Sequence, residues 1–319
     1  MYRIGVDLGG TNIAVGLVDD SYHIVTKSIL PTGAERPAEA IVDDIAYLCR
    51  KVCADAGVTA GEIKSVGIAT PGIANNAAGR VEYANNLPFR RFPIAEQLRE
   101  RFGVNEVYVE NDANAAAWGE AVAGVAKGTR NSAMITLGTG VGGGIIIDNK
   151  IYSGSNCAGA ELGHIVIVYD GYPCTCGRRG CWESYSSATA LIRMTREKIA
   201  ECEAAGRRTL MSELARLSGK ITGRTAFDAA RQGDGPAREV CDMYIKYLAC
   251  GLTNIVNIFQ PEVISLGGGI SNEGQSLIDA LSPLVAAECY GGDLVDHADI
   301  RIARLGNDAG IIGAALLGA

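Results

Sequence analysis

The sequence predicts an α/β protein with a mixed sheet, built from a duplicated β-unit and carrying a metal-binding loop. Three observations predict it. Short apolar strands alternate with amphipathic helices, which is the pattern of an α/β fold. A strand, glycine turn, strand plan at residues 2–18 returns at 132–151, and such an echo points to one copy per domain. Finally, three of the ten cysteines and one of the three histidines fall within residues 164–181.

The elements follow in order. Residues 2–8 alternate as a buried strand, Gly9-Gly10-Thr11-Asn12 turns, and 13–18 and 23–30 give two further strands. Pro37 opens a helix whose Ile41, Ile45, Leu48 and Val52 repeat at helical spacing, with Gly57 as its stop. Cys49 and Cys53 lie one turn apart on it and read as packing residues. A strand at 65–70 precedes the turn Pro71-Gly72 and a polar loop to Asn85-Asn86-Leu87-Pro88. A helix near 93–102 leads to a strand at 107–109, the junction Glu110-Asn111-Asp112-Ala113-Asn114, and an Ala-rich helix to Val122. The second unit has a strand at 132–137, the turn Gly138 to Gly144 and a return strand at 145–147. A strand-like run lies between His164 and Cys174, and the chain is then mostly helical from Ser187 to Phe259. A strand at 262–266, the turn Gly267-Gly268-Gly269, a helix capped by Ser271, a strand near 299–304 and a small apolar helix complete it.

Composition narrows the function. The 319 residues suit two domains, and 48% apolar residues are ample for burial. The net charge of −7 comes with no basic block, which argues against nucleic acid. No apolar run approaches the ~18 residues of a membrane span, and Tyr2 to Asp7 reads as strand with no leader pattern before it. A cytoplasmic protein with reduced thiols is expected, and no membrane partner.

Cys174, Cys176 and Cys181 sit in a short Gly-containing loop, and His164 completes a Cys₃His set of the kind that holds structural zinc. A disulfide is the poorer reading, because a Cys-x-Cys pair bridges badly. Glu161 and Glu183 flank the ligands, so a metal there would aim both carboxylates at one small polar ligand. The glycine turns at Gly9-Gly10-Thr11, Gly138-Thr139-Gly140 and Gly267-Gly268-Gly269 suit phosphates, although each alone also suits a tight hairpin. Gly138, Gly140 and Gly143 match G-x-G-x-x-G, but that fingerprint needs a helix next, and Ile145-Ile-Ile reads as strand. Asp7 ends a buried strand, where a carboxylate wants a cation such as the Mg²⁺ of a nucleotide. Asp112 is the expected N-cap of its helix and, if it faces Glu161 and Glu183, a candidate general base.

The segments Asp7-Leu-Gly-Gly-Thr11, Glu110-Asn-Asp-Ala-Asn114, Leu137-Gly-Thr-Gly-Val-Gly-Gly143, Glu161-Leu-Gly-His164 and Cys174-Thr-Cys-Gly-Arg-Arg-Gly-Cys-Trp-Glu183 resemble the ROK family of sugar kinases, in particular its bacterial ATP-dependent glucokinase members. The likeness runs over essentially the whole chain. It implies the two-lobed ATPase fold of actin and hexokinase, with duplicated ribonuclease-H-like domains. The smaller lobe would take residues 1–112 plus about 304–319, and the larger lobe 113–303, with the zinc loop 164–181 and dimerisation helices. It implies phosphorylation of glucose at the C6 hydroxyl, with ATP, Mg²⁺ and structural Zn²⁺. By position, Asp112 would be the catalytic base. Gly72, Asn86, Asn111, Asp112, Glu161, His164 and Glu183 would hold the sugar. Asp7, Gly9, Gly10, Thr11, Asn12, Gly138, Thr139, Gly140, Gly268 and Gly269 would line the nucleotide site. His164, Cys174, Cys176 and Cys181 would bind zinc. The expected partners are a sugar and a nucleotide, with assembly as a homodimer or homotetramer. Another hexose or an N-acetylhexosamine is the alternative substrate, and a non-catalytic sugar-sensing regulator the alternative class. The family's repressors carry a DNA-binding domain ahead of the first glycine motif, where only six residues precede Asp7.

Overall fold

The computed structural model describes residues 1–319, apart from the side chain of Asp293. The chain forms two compact units, one of Met1–Met134, Gly144–Ala160 and Arg304–Ala319, the other of Ile135–Gly143 and Glu161–Ala303. The first unit thus holds, besides the residues expected in the smaller lobe, the segments 113–134 and 144–160.

In the first unit, β1 (Tyr2–Leu8), β2 (Asn12–Val18) and β3 (Ile24–Pro31) form an antiparallel meander. Helix α1 (Ala38–Ala56) follows, and β4 (Ile63–Thr70) then pairs parallel with β1. Strands β5 (Ile73–Asn75), β6 (Arg80–Tyr83) and β7 (Arg90–Phe92) make a small antiparallel sheet. After α2 (Ile94–Phe102), β8 (Val107–Asn111) pairs parallel with β4 and runs directly into α3 (Asp112–Val122). The main sheet is ordered β3-β2-β1-β4-β8.

The apolar spacing of α1 is what docks it. Ile41, Ile45, Leu48 and Val52 are fully buried in the cluster that joins α1 and α2 to the strands, each contributing about 1.5–3 kcal/mol over exposure. Gly57 ends the helix in the left-handed region, φ 67°, its N–H returning to Ala54 and Cys53. Cys49 and Cys53 are buried in the same core.

The second set of strands is β9 (Ser132–Leu137), β10 (Val141–Ile147), β11 (Lys150–Ile151), β12 (Val263–Gly267) and β13 (Asp299–Ile302), ordered β11-β10-β9-β12-β13. The order is again third, second, first, fourth, fifth, so the echo read in the sequence is a repeated topology. The intervening helices are α4 (Glu183–Ser186), α5 (Ala188–Ala204), α6 (Leu210–Ser218), α7 (Thr225–Arg231) and α8 (Gly235–Phe259). Helix α9 (Gln275–Glu288) separates β12 from β13, and α10 (Ala309–Ala315) closes the chain.

Helix α10 packs back on the first unit at backbone distance. A Cβ on Gly5 or on Gly67 would lie 1.8 Å from the carbonyl oxygen of Ile311 or Ala314. Only glycine at those strand positions lets the helix come so near.

Four local expectations are corrected. The polar loop after Gly72 contains the sheet β5-β6-β7, whose strands of three and four residues are too short to show a period. Strand β10 starts at Val141, so the second glycine turn covers only 138–140. The run between His164 and Cys174 forms no strand; only the isolated bridges Val166–Cys181 and Pro173–Arg179 form there among the described residues. Ser271 does not cap α9, which is preceded by Gly274; its hydroxyl donates to Gly268 O at 2.7 Å.

Candidate active site

In the first unit the parallel strands β1, β4 and β8 run side by side, Asp7 opposite Ala69 and Thr70 opposite Asn111. Their carboxyl ends therefore present Asp7, Gly72 and the Asn111–Asp112 corner along one edge, where open α/β sheets bind ligands. The Asn111 side chain caps α3, accepting from the N–H groups of Ala113 (2.9 Å) and Asn114 (3.2 Å), and its Nδ2 donates to Gly72 O at 3.1 Å. The expected cap was Asp112. Asn111 takes that role because it has the extended backbone of a cap, which leaves Asp112 as the first helical residue.

Asp112 keeps solvent access although protein atoms crowd it. That desolvation raises its carboxyl above the usual aspartate range, against hydrogen bonds from Ala113 N–H, its own N–H and the Asn111 side chain. Asp7 is raised to about 6 by burial and by the nearby Asp112 charge, with Lys27 opposing. Two such carboxylates facing one edge favour a cation between them. Gly10 and Asn86 adjoin, since a Cβ on Gly10 would lie 2.6 Å from Asn86 Nδ2. The Gly9–Asn12 turn is closed by Gly9 N–H donating to Asn12 O at 2.9 Å, and Thr32 braces it through Gly9 O (2.7 Å) and Thr11 O (2.8 Å).

In the second unit the glycine turn and the cysteine loop meet at Glu183. Its Oε2 accepts the Val141 N–H at 3.0 Å, and its Oε1 lies 3.8 Å from Cys174 Sγ. A Cβ on Gly140 would stand 2.3 Å from Oε2. Thr189 donates to Thr139 O at 2.7 Å, and Ala188 N–H donates to Gly138 O at 2.8 Å, which pins the turn to the start of α5. Gly268 lies against the Leu137 backbone, so the third glycine turn adjoins the second. Glu161 O accepts the His164 N–H at 3.0 Å in a short 3₁₀ turn.

The donor atoms of His164, Cys174, Cys176 and Cys181 all lie within 4.8 Å of one another. His164 Nδ1 is 3.6 Å from Cys174 Sγ, and Cys176 Sγ is 3.6 Å from Cys181 Sγ. Tetrahedral zinc with ordinary bond lengths sets these edges at about 3.6 Å for S–N and about 3.8 Å for S–S. The set therefore fits a metal in both distance and chemistry. It is also the single His/Cys/Asp/Glu group of this kind among the described residues. Without a cation the thiols cannot all ionise. Burial, with Cys176 and Cys174 beside it, pushes Cys181 up to about 12. Burial also raises Cys176, but the Arg178 N–H and the two neighbouring thiols outweigh it and bring Cys176 below the usual range. None of the ten cysteines is bridged.

The expected site residues thus gather as two groups. Asp7, Gly9, Gly10, Thr11, Asn12, Gly72, Asn86, Asn111 and Asp112 belong to the first unit, and the remaining ones to the second. Sequence reasoning missed Glu110, a buried acid at the end of β8. The argument applied to Asp7, that a carboxylate closing a buried strand needs a partner, would have found it.

Comparison with known proteins bears on the whole chain. It is 41% identical over 313 residues to a glucokinase of Streptomyces coelicolor, covering 98% of this chain and 96% of that one. A solved ROK family glucokinase from Streptomyces griseus, in complex with glucose and AMPPNP, superposes with a TM-score of 0.80 at 38% identity, covering 99% of this chain and 98% of that one. A xylose repressor of Bacillus spizizenii is 28% identical, and the match covers 98% of this chain and 75% of the repressor. The model of the ROK family matches residues 3–319, and with it the duplicated α/β ATPase fold: the chain belongs to the ROK family.

Proposed function

We propose that this protein transfers the γ-phosphoryl group of ATP to the C6 hydroxyl of glucose. The observation that carries the reading is the first unit's edge, where Asp112 stands solvent-accessible with a raised carboxyl beside Asp7 and a fixed Asn111. A carboxylate so placed suits a general base, and the relatives with the highest identities named above are glucokinases.

In this reading Asp112 takes the proton of the C6 hydroxyl as that oxygen bonds to the γ-phosphorus. The bond from γ-phosphorus to the bridging oxygen breaks in line, and ADP leaves. Asn86, Asn111, Glu161, His164 and Glu183 accept from or donate to the other sugar hydroxyls, with Gly72 beside them, and so choose the hydroxyl that faces ATP. The turns Gly9–Asn12, Gly138–Gly140 and Gly268–Gly269 offer backbone N–H groups to the phosphates. Mg²⁺ arriving with ATP supplies charge neutralisation near Asp7. Zinc held by His164, Cys174, Cys176 and Cys181 supplies a structural clamp, and the Glu183 carboxylate then sits between the clamp and the glycine turn. We further propose that residues 1–112 with 304–319 act as the smaller lobe against 113–303, that the enzyme works as a homodimer or homotetramer, and that it works in the cytoplasm. No helix among the described residues is long and apolar enough to cross a membrane.

A coupled ADP-release assay over a panel of hexoses and N-acetylhexosamines tests the reading, with ATP, ADP and polyphosphate as donors. Turnover of glucose with ATP is expected. Turnover of an N-acetylhexosamine with none of glucose would replace the substrate, and turnover of no sugar would leave a sensor.

A further inference from the structure

We propose that Glu110 is a positioning residue for the reaction, its carboxylate fixing the orientation of the Asn111–Asp112 corner; this rests on the reading of Asp112 as the base. Glu110 is 5% exposed at the end of β8. Its Oε1 accepts the backbone N–H of Asn111 at 2.9 Å and the Asn114 Nδ2 at 3.1 Å. The peptide joining residues 110 and 111 is therefore tied down by the side chain of its own first residue. Asn114 stands in the first turn of α3, so one oxygen fastens both the strand end and the helix start.

The corner is then held from every side. Glu110 takes the Asn111 N–H, Gly72 takes the Asn111 side-chain amide, and the Asn111 Oδ1 takes two N–H groups of α3. Asp112 Oδ1 in turn accepts the Ala113 N–H at 2.8 Å. These bonds to Asp112 favour its ionised form, and they exist only while the corner keeps its orientation. A corner released from Glu110 would lose them. The Asp112 carboxyl would then rise further, and the base would be protonated at pH values where it now works.

A buried acid is a costly way to tie a strand to a helix. Burial raises the Glu110 carboxyl, opposed by the two bonds it accepts. Glu110 also lines a cavity of about 630 Å³. The titratable side chains sharing that cavity are Tyr108, Lys150 and Cys157. Facing Asp112 is Asp7, itself under the influence of Lys27. Glu110 is thus the carboxylate bonded to the corner's backbone, while the charge of Asp112 is felt by Asp7 only through space.

The test is the steady-state pH profile of Glu110→Ala and Glu110→Gln in the full chain, beside Asp112→Asn. Glu110→Ala is expected to lower kcat by about 10–100-fold, the cost of a misplaced catalytic group. It should also move the acid limb of kcat to higher pH, with a smaller change in glucose KM. Glu110→Gln keeps a carbonyl acceptor for both donors and should restore most of kcat and the position of the limb. Should the alanine variant not fold, Glu110→Leu, which fills the site but offers no acceptor to Asn111 N–H or Asn114 Nδ2, replaces it with the same expectation. A purely structural role predicts a lower melting temperature with the acid limb unmoved, and that outcome overturns the proposal. So does wild-type kcat in the alanine variant. If Asp112→Asn itself turns over normally, the base reading has failed; if it is inactive while Glu110→Ala is normal, only the Glu110 proposal has.

Discussion

The two groups of proposed site residues are held in different ways. In the first unit, Asp7, Gly72, Asn111 and Asp112 stand at the ends of paired strands, and hydrogen bonds among strand end, helix start and turn fix them. In the second, Glu161, His164 and the cysteines lie on irregular backbone with two isolated bridges, and the fastening is a Cys₃His cluster. One strand order serves both regions. Where regular structure carries the side chains, packing suffices; where a loop carries them, a metal-type cluster replaces it.

The largest effect is expected from Asp112→Asn, which should cut kcat by roughly 10²-fold or more and leave glucose affinity, measured by calorimetry, largely intact. A comparable loss of affinity would mean that the first unit's group binds sugar more than it reacts. Next comes Gly67→Val, which drives a side chain into the α10 backbone. It should cost about 3 kcal/mol in denaturant unfolding, and zinc content should be unchanged if the cluster is independent of this packing. Cys181→Ser, or chelation, should do the reverse. Metal content should fall and glucose affinity weaken about tenfold or more, well before helical circular dichroism is lost. Full affinity in the metal-free protein would sink the clamp.

The smallest expected effect is on pH dependence. The Asp7 carboxyl is raised to about 6 from an ordinary 3.8, so between those values the folded protein binds more protons than the unfolded chain. Stability should accordingly fall as pH rises through that window. Asp7→Asn should flatten this slope in a melting-temperature series while lowering turnover. An unchanged slope would mean that Asp7 is already neutralised.

Some of this was legible in the residues. The spacing of Ile41, Ile45, Leu48 and Val52 announced α1 and its buried face, and Gly57 announced its end. The strand, glycine turn, strand echo announced the repeated sheet order, because period-two burial and turn chemistry are local. Cysteine spacing announced the cluster, since so few residue types bind soft metals. What stayed hidden depends on backbone angles and side-chain directions that residue type alone does not fix. The sheet β5-β6-β7 is fastened by Arg90, which donates to the Leu87 and Phe89 carbonyls and stacks 4.3 Å over the Tyr83 ring. The cap on α3 went to Asn111 instead of Asp112, a one-residue choice set by backbone angles that composition does not reveal. Glu110 looked like a motif letter until its two donors were placed.

The place of α10 has a consequence for biosynthesis. Gly5 and Gly67 leave room for a helix that begins at Ala309, so strands translated early wait for a helix translated much later. Until α10 has emerged, the face of β1 and β4 that it covers lies open, and a nascent chain stalled anywhere in the second unit would display it to chaperones. Ribosome-bound chains ending at residue 303 should therefore be protease-sensitive in the first unit, and chains that include α10 resistant.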